Sequence, residues 1–197
     1  MPAPGEYRPA PERRDAALER QLAELARGVR GDVGIYVRHL RTGRTAALRA
    51  DETFPTASMI KVPILIGVYD AIARGALTAN QSFVLVDSLR YRGDPGLINM
   101  LPDSARIPLP KLIHQMISFS DNTASLWLQR VVGGQTINAW LAAHGYDSTR
   151  VNSRTPGREA DRARWGWGQT TPREMARLLV QIRAGDAVSR AASEEMY

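Results

Sequence analysis

Between Ser58 and Arg74 the chain is apolar on nearly every side of a helix. Ile60, Val62, Ile64, Leu65, Ile66 and Val68 leave no polar stripe, and Gly75 marks the stop. A surface helix shows one apolar face, whereas this one has to be surrounded, so the fold must be built around it. Its first turn nevertheless carries Lys61, one of only two lysines in the chain, the other being Lys111. A lysine in such a segment is rarely buried without a partner or a task.

Ser58 lies three residues before Lys61, a spacing that puts both side chains on one helical face. A serine hydroxyl is a poor nucleophile until a neighbouring group takes its proton or stabilises the alkoxide, and a lysine can do either. Arginine, abundant in this chain, could not serve as the base because it keeps its proton in proteins. At the start of a helix, unsatisfied backbone N–H groups also point toward developing negative charge, which suits a nucleophile whose attack creates an oxyanion. Sixty-two positions after Ser58 (120 − 58) comes Ser120-Asp121-Asn122. Asp121 has the chemistry of a helix N-cap, and Ser120 and Asn122 taken alone fit helix-start residues equally well.

Elsewhere the pattern is coarser. Ala17, Leu18, Leu22, Leu25 and Val29 predict an amphipathic helix over residues 10–28. Val33, Ile35 and Val37 alternate with Gly34, Tyr36 and Arg38, and Arg41–Arg44 separates them from Thr45–Leu48, which reads as a hairpin. Residues 81–108 read as loop-rich, with Gly93-Asp94-Pro95-Gly96 as a turn, and Leu109–Phe119 as a helix delivering Ser120.

Composition fits part of one globular domain: 197 residues, 44% hydrophobic and 23% charged. With no cysteine there is neither a disulfide framework nor a thiolate metal site, and His39, His114 and His144 lack ligand spacing, so no metal or other cofactor is expected. The net charge of +6 could suggest nucleic acid, but no basic stripe with interleaved aromatics accompanies it, so no nucleic-acid partner is expected. Arg13, Arg14, Arg38, Arg41 and Arg44 are expected on a solvated face. No apolar run reaches membrane-spanning length, and the first fifteen residues lack the apolar stretch of a secretory leader.

The pair S-x-x-K and S-D-N resembles the penicillin-recognising serine hydrolases, and within them the class A β-lactamase-related proteins. Phe54–Ala57 leading into Ser58, the run Met116–Ser125, and Thr170–Ala176 look like class A segments in their expected order. The resemblance implies an α/β fold of the β-lactamase/transpeptidase type, a helical lobe plus an antiparallel sheet flanked by helices. It implies that Ser58 attacks a carbonyl, Lys61 takes or steers its proton, Ser120 relays that proton to the leaving nitrogen and Asn122 binds the substrate's acylamide group. The implied reaction opens a β-lactam amide through an acyl-serine, with a D-alanyl-D-alanine peptidase or a non-catalytic wall-binding module as alternatives. The implied partner is a small β-lactam or peptidoglycan peptide, the implied location periplasmic or extracellular, and the complete protein a monomer.

Two departures stand out. The glutamate that activates the deacylating water in class A enzymes has no counterpart pattern here; its place falls near Thr155, and Glu159 and Asp161 are the nearest acids, with Glu159 the candidate base. Trp165 and Trp167 beside it read either as a substrate-facing wall or as anchors packing a loop. No K-T-G triad follows, since no lysine occurs after Lys111. The expectation is a single incomplete domain: residues 10–57 as helix and hairpin of the α/β lobe, 58–184 as an all-helical lobe, and 185–197 as the start of a further helix. The hairpin would then expose an edge and an apolar face. The 197-residue chain alone is accordingly expected to be poorly stable and inactive; a stable monomer that hydrolyses nitrocefin would contradict this.

Overall fold

The computed structural model describes residues 7–93 and 95–197; Asp94 of the expected turn and the first six residues lie outside these. The chain opens with a short strand, β1 (Arg13–Arg14), a helix, α1 (Ala16–Ala26), and the hairpin β2 (Ile35–Arg38) and β3 (Arg44–Leu48). β3 is the middle strand, antiparallel to β2 with Ile35 opposite Leu48 and parallel to β1 with Arg13 opposite Arg44.

The helix expected over 10–28 is shorter at both ends. Residues 13–14 are drawn into the sheet instead, and Asp15 then caps the helix by accepting from the Leu18 N–H at 3.1 Å. That N–H, and after it Arg44, hold the Asp15 carboxyl below the usual carboxylate range. Of the arginines expected on a solvated face, Arg13, Arg14, Arg41 and Arg44 are exposed, Arg14 donating to Glu19 and Arg44 to Asp15, each at 2.6 Å, while Arg38 is half-buried and pairs with Glu12 at 2.9 Å. The hairpin was expected to expose an edge and an apolar face; β2 does lie at the edge of its sheet, but only part of its face is open. Val37 is exposed, and Tyr36 is half-buried with the Arg173 guanidinium 4.6 Å from its ring centre.

After β4 (Phe54–Pro55) a 3-10 turn, Ala57–Ile60, runs into α2 (Lys61–Ala73). Pro63 is tolerated in its first turn, where backbone N–H groups lack helical partners anyway. Downstream come β5 (Ser82–Val84), α3 (Leu97–Met100), β6 (Arg106–Pro108), α4 (Leu109–Ser118), α5 (Asn122–Val132), α6 (Gly134–Ala143), β7 (Arg150–Val151), α7 (Glu159–Trp165), β8 (Gly168–Thr170), α8 (Pro172–Ala184) and α9 (Arg190–Met196). The stretch read as loop-rich thus contains a β5–β6 ribbon, Phe83 opposite Ile107, too short for its alternation to stand out.

As its composition requires, α2 is enclosed, packing against α4, α5, α6, α8 and α9. Ile64, Leu65, Ile66 and Val68 are buried with Leu112, Met116, Leu128, Ile137, Leu141 and Leu178 in one core, each such side chain contributing about 1.5–3 kcal/mol. Gly67 lets α6 approach: a Cβ there would sit 2.7 Å from Ile137 Cγ1.

A second sheet, order β4–β8–β7, lies partly within the stretch expected to be all-helical. It joins the lead-in to Ser58 to the segment following Arg150, with Phe54 opposite Thr170, Pro55 opposite Gln169, and the Thr56 N–H donating to the Gly168 carbonyl at 3.0 Å. Gly168 permits the contact, because a Cβ there would lie 2.3 Å from Ile60 Cδ1 and 2.9 Å from the Arg150 carbonyl oxygen. Gly168→Ala is therefore expected to destabilise the protein by about 1–3 kcal/mol, read as a lowered denaturation midpoint.

At the edge of the fold Arg173 grips Asp51 with two bonds, 2.7 and 3.0 Å, linking α8 to the turn after β3. The Arg173 hydrogen bonds hold the Asp51 carboxyl below its usual range. A depressed carboxylate contributes stability above its unfolded pKa of about 4, lost as pH falls through the folded value. Both groups are solvent-accessible, so Asp51→Asn is expected to lower stability at neutral pH by only about 0.2–1 kcal/mol, a deficit that disappears in acid when unfolding is compared across pH.

Candidate active site

Ser58 sits in the 3-10 turn and not in the α-helix itself, which begins at Lys61. The turn is entered through Ala57, a non-glycine residue at φ +44°. Ser120 is likewise left-handed at φ +57°, where α4 ends and the chain reverses into α5. Such conformations cost about 1–2 kcal/mol each and persist only when the surroundings hold them. Here the holding contacts are visible. The Asp121 N–H donates to the Gln115 carbonyl at 3.0 Å. The buried Asp121 carboxylate accepts from the Ala124 N–H at 2.8 Å, capping α5, and from the Ile98 N–H at 3.0 Å, fastening α3 to it.

The two strained turns converge on Lys61, which is only 3% exposed. Its Nζ lies 3.1 Å from Ser58 Oγ, 2.8 Å from Ser120 Oγ, 2.7 Å from the Ser120 carbonyl oxygen and 2.9 Å from Asn122 Oδ1. Ser120 Oγ stands 3.0 Å from Ser58 Oγ, closing a triangle of two hydroxyls and one amine. Both serines are exposed, so the amine supports them from beneath while the hydroxyls face solvent.

Counting protons restricts the chemistry. The Ser120 carbonyl and Asn122 Oδ1 only accept, so two Nζ–H bonds are committed to them. The remaining position faces the two hydroxyls. As an amine, Lys61 presents a lone pair there and can take a hydroxyl proton; as an ammonium, it presents a third N–H to a forming alkoxide. Either way the group is aimed by two fixed acceptors.

Ser58, Lys61, Ser120 and Asn122 are thus brought together. Glu159 is not in that cluster. It is exposed at the start of α7, accepts from the Gly157 N–H at 3.1 Å, and lines a cavity of about 240 Å³ with Asn152, Thr155 and Arg162. Asp161 pairs with Arg158 at 3.1 Å. Thr155 is buried, its hydroxyl donating to the Ser153 carbonyl at 3.0 Å. Trp167 acts as an anchor, packing on the core with Tyr91 edge-on at 5.2 Å and accepting through its carbonyl from the Asn152 and Ser153 N–H groups, while Trp165 is half-buried with the neighbouring Arg164 guanidinium 4.5 Å from its ring. The three histidines have separate local contacts, with Thr42, Ser118 and the Trp140 carbonyl.

Sequence reasoning missed the framework behind these residues. Arg158 clasps the loop by donating to Asn152 Oδ1 at 2.9 and 3.0 Å and to Gln169 Oε1 at 2.8 Å. Thr123 Oγ1 accepts from the Tyr91 N–H at 3.0 Å, tying the segment before α3 to α5. Neither contact joins residues close in sequence, and no local pattern announces them.

Known proteins resemble this chain in sequence and in fold. A family described as the beta-lactamase enzyme family matches residues 17–197. The chain is 32% identical to a beta-lactamase of Amycolatopsis lactamdurans, over 95% of this chain and 60% of that one. To a beta-lactamase of Streptomyces fradiae it is 30% identical, over 89% and 58%. It therefore spans less than two thirds of these curated relatives. Among solved structures, PBP-A matches with a TM-score of 0.83 at 25% identity, over 95% of this chain and 69% of PBP-A, and a PBP-A mutant is known as an acyl-enzyme complex with penicillin G. A beta-lactamase from Sphaerobacter thermophilus matches with a TM-score of 0.79 at 25% identity, over 92% and 68%. Matched by that family along nearly its whole length and alike in fold to these structures, the chain belongs to the beta-lactamase enzyme family.

Proposed function

We propose that the whole protein is a serine hydrolase of the β-lactamase type, opening β-lactam amides through an acyl-serine intermediate. The observation that carries this reading is the closed triangle of Ser58, Lys61 and Ser120 above a buried lysine whose remaining bonds are fixed. Ser58 Oγ attacks the lactam carbonyl carbon while its proton passes to Lys61. As the tetrahedral intermediate collapses, the C–N bond breaks and the leaving nitrogen collects a proton through Ser120, which Lys61 replenishes. Asn122, whose Oδ1 accepts from Lys61, is the residue that would bind the substrate's acylamide group. Water then hydrolyses the ester, restoring Ser58 and releasing the opened acid.

That water needs a base. Glu159 lines a cavity to which Ser58, Lys61 and Ser120 do not contribute, so it reaches the ester only if the loop from Asn152 to Trp167 is reshaped. This favours a second reading in which the acyl-enzyme is long-lived and the protein acts as a penicillin-binding D-alanyl-D-alanine peptidase. Either activity belongs outside the cytoplasm, where peptidoglycan and β-lactams are met, and a monomer suffices because one chain supplies the whole triangle. Among the described residues no helix is long and apolar enough to cross a membrane.

Intact-mass measurement of the complete protein with a penicillin tests the proposal. A Ser58 adduct that forms and clears with release of opened product is expected; a lasting adduct selects the peptidase reading, and no adduct refutes both. Ser58→Ala is expected to abolish the adduct. Lys61→Ala is expected to slow acylation about 10²–10⁴-fold and, by stranding accepting oxygens in the interior, to destabilise the fold by about 1–3 kcal/mol. Glu159→Gln is expected to leave the adduct's lifetime unchanged.

A further inference from the structure

Some arginines of this fold have an acid at hand, as Arg38 has Glu12, Arg90 has Asp103, Arg158 has Asp161 and Arg173 has Asp51. Around residue 154 three arginines of the other kind come together. Arg130, on the last turn of α5, and Arg154 line a cavity of about 390 Å³ together with Ser88, Gln129, Gly134 and Thr136, and among the described residues no carboxylate lines it. Arg154 also borders the adjoining 240 Å³ cavity, where Arg162 of α7 and Glu159 stand. Among the described residues none of these three arginines forms an ion pair with a carboxylate, Glu159 included. The Arg154 guanidinium is drawn below the usual arginine range, first by loss of hydration and then by the charges of Arg130 and Arg162, with no opposing acid.

The walls are firm. The buried Gln129 amide donates to the Ser153 carbonyl, and Gly134, the first residue of α6, abuts Thr155 so closely that a Cβ would meet its hydroxyl oxygen at 1.9 Å. Arg154 itself is held at φ +48°, a left-handed conformation that an unconstrained arginine would leave. Like charges assembled on rigid backbone without a counter-ion raise the energy of the empty site and lower that of an occupied one.

We propose that Arg130 and Arg154, in the cavity between the end of α5, the start of α6 and the Arg154–Pro156 loop, form a binding site for a phosphate-class oxyanion, with Arg162 adding long-range charge. A tetrahedral phosphate offers oxygens in several directions and can accept two bidentate guanidinium forks from different sides, whereas a planar carboxylate presents a single edge for such a fork. The cavity is roomier than a single phosphate group, so a substituted phosphate fits as well. The site stands on residues other than Ser58, Lys61 and Ser120, so its presence is independent of the hydrolase reaction.

Calorimetric titration of the complete protein with inorganic phosphate, against chloride at matched ionic strength, tests the site, and dimethyl phosphate in parallel tells a free phosphate from a phosphodiester. Saturable binding of either probe is expected, weakened by at least about tenfold in Arg130→Gln and in Arg154→Gln, the loss of one charge-assisted bidentate contact. No saturable heat beyond the chloride control, or binding unchanged in both variants, overturns the proposal. Should Arg154→Gln fail to fold, Arg130→Gln, an exposed helical position, gives the answer alone.

Discussion

A buried amine is the constraint on which the rest depends. Lys61 lies at the head of the helix that every other helix of the core surrounds, so its Nζ cannot reach bulk water and must find partners inside. An unpaired cation there would cost several kcal/mol. The protein answers with oxygens from two separate turns: the carbonyl and hydroxyl of Ser120, the amide oxygen of Asn122 and the hydroxyl of Ser58. Satisfying the lysine and assembling the reactive group are therefore one structural act. The left-handed Ser120 makes sense in the same light, since its carbonyl reaches Lys61 at 2.7 Å from that backbone conformation.

The small β4–β8–β7 sheet gives this arrangement its second support. It fixes Thr56 against Gly168 immediately before the nucleophile turn and carries the loop between Val151 and Gly168 on the same strands. Arg158 and Trp167 then hold that loop to its own base. A water-activating group carried on such a loop would meet a Ser58 whose position the sheet has already set.

Much of this was legible from residue types and spacing. An all-round apolar segment demanded a central helix, and a lysine inside it demanded partners; S-x-x-K and S-D-N named them, and Asp121 proved the N-cap that its chemistry suggested. The hairpin was readable because Ile35–Arg38 and Arg44–Leu48 are separated by a glycine-containing turn. Illegible were the contacts that depend on chain reversal: the parallel pairing of Arg13–Arg14 with β3, the β5–β6 ribbon, and the 3-10 start of α2. Two- and three-residue strands carry too few alternations to be seen, and long-range contacts such as Asp121 with Ile98 or Arg158 with Gln169 are chosen by tertiary packing and not by neighbours in sequence.

The scarcity of lysine has a practical corollary. Lys111 is exposed on α4, while Lys61 is the sole other lysine and lies enclosed among oxygens. Isotopic labelling of lysine alone would give a two-line side-chain spectrum in which one resonance belongs to solvent and the other to the enclosed cluster around Ser58 and Ser120. The protonation of that cluster, before and after a penicillin is added, could then be followed on a single nitrogen without altering any residue.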